Sequence, residues 1–310
     1  MTETHLAETM DLAGKRAAYD NACKQLLAHK QILAQILCGT MREFVGIDAT
    51  LAEGLICGNP LLPGPSVHAS EIAGMPSEDA RADEGRIEYD MLFETALPDG
   101  PETASVIVNV EVQRSRHSWR RLLRRAVYYC SRMISAQRGK TFKGEEYENL
   151  RKVVSVWICP EALKGPGTIT TFDLECDQLC GLWLPNRHAY DVVQVAVIRL
   201  GDPERSSGLA RMLSVLFSRT LKTSEKKRIA EEEYNMAMTD EMEEEVDGMG
   251  GFAEALWQEA IDEGRAIGMD EGRRMGIESA LAAVSARLSE LGYDEKAIDE
   301  VMSAKERVAL

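Results

Sequence analysis

No apolar run in this 310-residue chain approaches the roughly 20 residues needed to cross a bilayer, and the N-terminal stretch Met1-Thr-Glu-Thr-His-Leu6 lacks the basic start and apolar segment of a signal peptide. A cytoplasmic protein without a membrane contact is expected. No C-x-x-C pair occurs among the seven cysteines, which lie at 23, 38, 57, 130, 159, 176 and 180. Most sit in apolar settings such as Ile36-Leu-Cys38 and Trp157-Ile-Cys159, which predicts buried thiols that pack as small hydrophobes; the C-x3-C spacing of Cys176 and Cys180 is a weak zinc signal. The five histidines show no metal-ligand spacing. Acidic residues outnumber basic ones, 51 to 36. A net charge of −15 argues against a protein that coats nucleic acid or an anionic membrane over its whole surface, so any such contact must be local.

The clearest pattern present runs from Ala104 to Gln113. Valines at 106, 108, 110 and 112 alternate with Ile107, Asn109, Glu111 and Gln113, the period of a strand with one face in a core. Glu111 and Gln113 then share a face roughly 7 Å apart. A carboxylate in such a strand is costly to bury without a partner or a metal, which makes Glu111 a candidate site residue.

Around this strand the chain orders itself. Proline is absent from about Asp11 to Val45, where Leu26, Leu27, Ile32, Leu33, Ile36, Leu37 and Phe44 predict one long amphipathic helix or two in succession. From Gly46 to Gly85, Asn59-Pro60, Pro63-Gly-Pro65 and Met75-Pro76 predict mostly loop. A strand over Arg86–Leu97 places Asp90 where it can face Glu111. A helix through Trp119, Leu122, Leu123, Val127, Met133 and Ile134 follows, then strands at Lys152–Ile158 and Asp191–Leu200, which together indicate an α/β or α+β domain over residues 1–205. From 206 to 310 a helical, partly acidic extension is expected, with Glu263-Gly-Arg-Ala-Ile-Gly268 and Glu271-Gly-Arg-Arg-Met-Gly276 as a near-repeat. Glycine costs a helix interior about 1 kcal/mol relative to alanine; close packing in a homo-oligomer is one reason for the repeat, a loosely ordered tail another.

Asp90 and Glu111 offer two hard oxygen ligands for Mg²⁺ or Mn²⁺, with a main-chain carbonyl near Val112 as a third and Gln113 facing the water or the scissile phosphate. The alternative is a pair of partly exposed charges matched by arginines. From Val112 to Gly144 there is no acidic residue, while Arg114, Arg116, Arg120, Arg121, Arg124, Arg125 and Arg132 accumulate. Arg121, Arg124 and Arg125, with Arg114 and Arg132 nearby, form a basic face suited to DNA phosphates; charge balance against the acidic tail is the alternative.

The residues Tyr19–Leu27, Lys30–Ala34, Glu84–Asp90, Asn109–Gln113, Arg125–Gln137 and Tyr147–Cys159 together resemble the PD-(D/E)XK nuclease superfamily, in particular its branch of nuclease family transposases related to recombination-promoting nucleases. The resemblance spans about residues 15–200. It implies a restriction-endonuclease-like core, a mixed central sheet flanked by helices, and a magnesium-dependent DNA endonuclease. By position it implies that Asp90 and Glu111 bind the metal and that Gln113 stands where the superfamily has a lysine. Glu43 sits where an additional acid is often placed, with a plain helix-face charge as the alternative, and Tyr129 flanks the site, where it either reaches a phosphate or base or packs its ring on the sheet. Glutamine can orient by hydrogen bonds but brings no charge, so Arg114 or a second metal ion would have to supply it. Against this stand a catalytically weak nucleic-acid-binding protein and an oligomeric scaffold.

Overall fold

The computed structural model describes residues 2–61, 78–81, 85–99, 105–113, 119–160 and 164–294. In chain order they form helices α1 (Thr2–Ala28), α2 (Lys30–Thr40) and α3 (Ala49–Leu55) and strands β1 (Ile56–Leu61), β2 (Glu78–Arg81), β3 (Gly85–Glu88), β4 (Met91–Ala96) and β5 (Ser105–Val112). Helix α4 (Trp119–Ala136), strands β6 (Val153–Cys159), β7 (Thr168–Asp173) and β8 (Val193–Arg199), and helices α5 (Gly208–Leu216), α6 (Thr223–Tyr234) and α7 (Asp240–Glu290) complete them. This is an α/β protein with a six-strand mixed sheet flanked by helices, followed by C-terminal helices. Two compact units are distinguished, Met1–Ala253 and Glu254–Leu310.

The sheet order is β1-β4-β5-β6-β8-β7. The pairs β5/β6 and β6/β8 are parallel, whereas β1/β4, β4/β5 and β8/β7 are antiparallel. β5 thus joins an antiparallel half to a parallel half. Val106 through Glu111 are all buried, so both faces of β5 are covered and not one alone as the alternation suggests. On the Ile107 face, α4 packs Leu122, Ala126, Tyr129, Cys130 and Met133 against Tyr89, Trp157, Val195 and Val197. Those α4 positions recur at three- and four-residue intervals, one stripe of an amphipathic helix. α1 packs against β5 as well.

Of the two arrangements expected for the N-terminal helical stretch, the second is found: two helices in succession, broken at His29, whose ψ of 125° is extended. Several expectations change. The single strand expected over Arg86–Leu97 is divided at Tyr89-Asp90: β3 pairs with β2 in a separate two-stranded sheet, while β4 joins the main one. The loop expected over 46–85 contains α3, β1 and β2; β1 tolerates Pro60 because an edge strand does not need every N–H. Pro63, Gly64, Pro65, Met75 and Pro76 from that stretch lie outside the described residues. Cys23 and Cys130 are buried, and burial pushes the Cys130 thiol up to about 12, but Cys57, Cys176 and Cys180 are exposed. Among the described residues no three His, Cys, Asp or Glu side chains group as metal ligands, and no helix is long and apolar enough to cross a membrane.

The compact unit also runs past residue 205. α5 buries Leu209, Met212, Leu213 and Leu216 and packs against α2; Gln35 Nε2 donates to Tyr234 O at 3.1 Å, and His29 Nε2 meets Glu245 Oε2 at 2.7 Å. α7 continues as helix through the glycine repeat, with Gly268, Gly272 and Gly276 exposed along it.

Gly201 links β8 to α5. It is buried, and a Cβ there would collide with the backbone of Gly165, Pro166 and Gly167. Gly201→Ala is therefore expected to lower stability by about 3 kcal/mol, because neither backbone can yield cheaply. Gly54→Ala, in open space on α3, is expected to change it by no more than about 1 kcal/mol, and upward. Urea unfolding of both variants decides; equal effects would mean that the Gly201 contact is not tight.

Candidate functional site

The register that sets Met91 against Val110 brings Asp90 opposite Glu111 at the end of β5. The two residues clasp each other's strands. Asp90 N–H donates to Glu111 Oε1 at 3.1 Å, and Val112 N–H donates to Asp90 Oδ2 at 3.0 Å. This is why the strand breaks at Asp90: its carboxylate takes a main-chain donor.

Glu111 is 2% exposed. A buried polar chain supports it from below: Trp157 Nε1 donates to Ser155 Oγ at 2.9 Å, Ser155 Oγ to Asn109 Oδ1 at 2.7 Å, and Asn109 Nδ2 to Glu111 Oε1 at 2.8 Å. Register places these side chains together, since β5 and β6 are parallel with Asn109 opposite Ser155 and Glu111 opposite Trp157. Burial, and then the negative charge of Asp90, push the Glu111 carboxyl up to about 7, against the pull of the Asn109 and Asp90 donors and of Arg125.

Two cations flank the pair. Lys24 Nζ of α1 lies 2.7 Å from Asp90 Oδ1. Burial draws the Lys24 pKa down, but the bond to Asp90, with the charges of Asp20 and Glu111, outweighs it and leaves the pKa raised. On the other side, Arg125 Nη2 is 3.6 Å from Glu111 Oε2, and Nη1 donates to Gln113 Oε1 at 2.9 Å. Its guanidinium lies over Trp157 and Tyr129, 4.8 and 5.2 Å from the ring centroids, and donates to Tyr129 Oη at 3.1 Å. One arginine thus touches the buried acid, the glutamine two residues on, and the aromatic wall.

The structure brings Asp90, Glu111, Gln113, Arg125 and Tyr129 together. Tyr129 is buried, edge-on to Tyr89 and tilted against Trp157, so its ring packs on the sheet. Arg121 and Arg124 are exposed on α4. Arg132 departs from the expected phosphate-facing row: it is 2% exposed and donates to Tyr128 Oη at 3.1 Å, because its position turns under the helix toward the core. Arg114 and Arg116 lie outside the described residues. Glu43 does not join the site. It occupies the turn Arg42–Phe44 and pairs with Lys152 at 2.7 Å, beside Val153, which is opposite Ile107. Glu111 is four residues, about 13 Å, further along β5.

Lys24, Asn109 and Ser155 were not signalled as site residues. Asn109 had a visible cue, an amide in the middle of a valine-rich strand on the face of Glu111. Lys24 had none, since a lysine beside buried Cys23 and Leu26 looks like any charge at the rim of an amphipathic helix.

An acid whose pKa is higher folded than unfolded binds more protons in the folded state between the two values, so its contribution to stability falls as pH rises through that window. For Glu111 the window runs from its ordinary 4.5 to about 7. Against Glu111→Gln, the wild type is expected to lose on the order of 3 kcal/mol of unfolding free energy from pH 4.5 to above 7, measured in chelator-treated buffer. Parallel pH curves for the two proteins would contradict the burial argument. No protein family, curated protein or solved structure matches this chain.

Proposed function

We propose that this chain is a metal-dependent DNA endonuclease of the PD-(D/E)XK type, hydrolysing phosphodiester bonds. The observation that supports it most is the clasp of Asp90 with Glu111, flanked by Gln113, with Arg125 of α4 on both Glu111 and Gln113. The donor set fits a hard divalent cation: two carboxylates on neighbouring segments, one of which resists ionisation first because it is buried and then because the other is close. Asp90 and Glu111 would hold Mg²⁺ or Mn²⁺, with main-chain or water oxygens completing the shell. Such an ion, when bound, supplies charge neutralisation at the phosphate and a more acidic water.

The remaining work falls to the chain's own groups. Gln113 orients the water or the phosphate through hydrogen bonds, its amide plane fixed by Arg125. Arg121 and Arg124, exposed on α4, grip the DNA backbone without reading sequence, while Arg125 stays on Glu111 and Gln113. The Tyr89, Tyr129 and Trp157 wall keeps water from the side of Glu111 that faces α4. A part in transposition or recombination rests on the resemblance; a cytoplasmic location rests on the sequence's lack of a signal-peptide pattern, and a homo-oligomer formed through the C-terminal helices on the glycine repeat.

A second reading is a catalytically weak nucleic-acid-binding protein. It is favoured by one observation: Lys24 and Arg125 already balance the two carboxylates, and Gln113 brings no charge.

Nicking of supercoiled plasmid with Mg²⁺, Mn²⁺ and chelator separates the readings. The endonuclease is expected to need metal and to lose at least about 100-fold in rate in Asp90→Ala and in Glu111→Ala while still binding DNA. Equal nicking by all three proteins, or none by the wild type, would reject it. Replacing Arg121 and Arg124 together by alanine is expected to weaken DNA binding and to reduce the slope of log affinity against log salt by about 2. An unchanged slope would remove α4 from the interface.

A further inference from the structure

We infer that Lys24 is the cation that faces the scissile phosphate in this site, filling from α1 the role that a lysine at position 113 would fill; the inference rests on the endonuclease reading above. Three observations lead to it. The ammonium is already in the site, 2.7 Å from Asp90 Oδ1, and the side chain is 24% exposed, so solvent and ligand can reach it. Its backbone is fixed, because Cys23, Leu26 and Leu27 on the same helix are fully buried. The other nearby cation is committed: Arg125 is held by Glu111, Gln113, Tyr129 and the Trp157 face.

The chemistry asks for such a group. In the hydrolysis, the water oxygen forms a bond to phosphorus and the bond from phosphorus to the leaving sugar oxygen breaks. One proton of the water ends on the leaving alkoxide, and the other stays on the new phosphate hydroxyl. Negative charge accumulates on the non-bridging and leaving oxygens as this happens, and a compact ammonium with three donors stabilises it where a neutral amide cannot. Asp90 Oδ1 takes one of those donors and holds the stem.

The test compares the full-length wild type with Lys24→Met, Lys24→Arg and the double variant Lys24→Met with Gln113→Lys. Three readouts are taken: plasmid nicking, Mn²⁺ affinity by titration calorimetry, and DNA affinity in chelator. Lys24→Met is expected to cut about 10²–10³-fold more slowly, with Mn²⁺ binding undiminished and DNA affinity within about twofold. Lys24→Arg should retain most of the rate, and Gln113→Lys should restore at least about tenfold to Lys24→Met by returning a cation to the strand. Wild-type nicking by Lys24→Met, while Asp90→Ala stays inactive, would overturn the inference and leave the endonuclease standing. Loss of Mn²⁺ binding in step with cleavage, without rescue by Gln113→Lys, would overturn it too, since Lys24 would then only hold Asp90. A wild type that does not cleave with either metal rejects the endonuclease and this inference with it.

Discussion

A negative charge kept inside a sheet is the constraint on which this site depends. Glu111 is buried at the end of a valine-rich strand, next to a second carboxylate, where both desolvation and repulsion oppose its ionised form. The surroundings answer with donors: two N–H groups on Glu111 Oε1, an arginine on Oε2, and a buried chain from Asn109 through Ser155 to the Trp157 indole. Because every member of that chain is paired, it fixes the side-chain geometry of β5 against β6 as well as the acid itself. The same contacts pin β4 to β5, since Asp90 bonds across the junction through both its backbone and its carboxylate. Register and site are one arrangement.

The two ends of the parallel strands handle charge differently. Beyond the start of β6, Lys152 lies between Glu43 and Asp191, and Arg187 bridges Asp191 and Glu175. There acids and bases pair side by side and tie the segment before β8 to the end of α2. At the other end two acids are packed against each other, Asp90 met by Lys24 of α1 and Glu111 by Arg125 of α4. Buried or half-buried pairs of the first kind add modestly to stability and a great deal to fit.

Much of this was legible in the residues. Alternation located β5, the mixed spacing located α4, and shared strand faces brought Asp90 to Glu111, because each depends on short-range periodicity. Elements governed by position in the sheet were not legible: β1 and β7 are edge strands carrying Pro60 or a polar run such as Thr168-Ile-Thr-Thr171, which no hydrophobic pattern marks. The arginines of α4 were legible as a group but not individually. Composition gathers Arg125 and Arg132 together, whereas packing leaves the first at the site and buries the second. Glu43 and Lys24 show the same limit from opposite sides. One acid on a helical stretch was a candidate accessory to the site, or a plain helix-face charge, and lies elsewhere; one base on another helix was passed over and lies beside Asp90. Both outcomes are set by tertiary contacts between residues far apart in the chain.

The indole of Trp157 is fully buried with the Arg125 guanidinium 4.8 Å from its centroid, whereas Trp119 and Trp183 are exposed. A buried indole emits at shorter wavelength than solvated ones, and its emission responds to a positive charge held over the ring. The site therefore contains its own optical probe: whatever draws Arg125 off the ring alters the blue edge of the fluorescence spectrum, without a label and without any bond being broken.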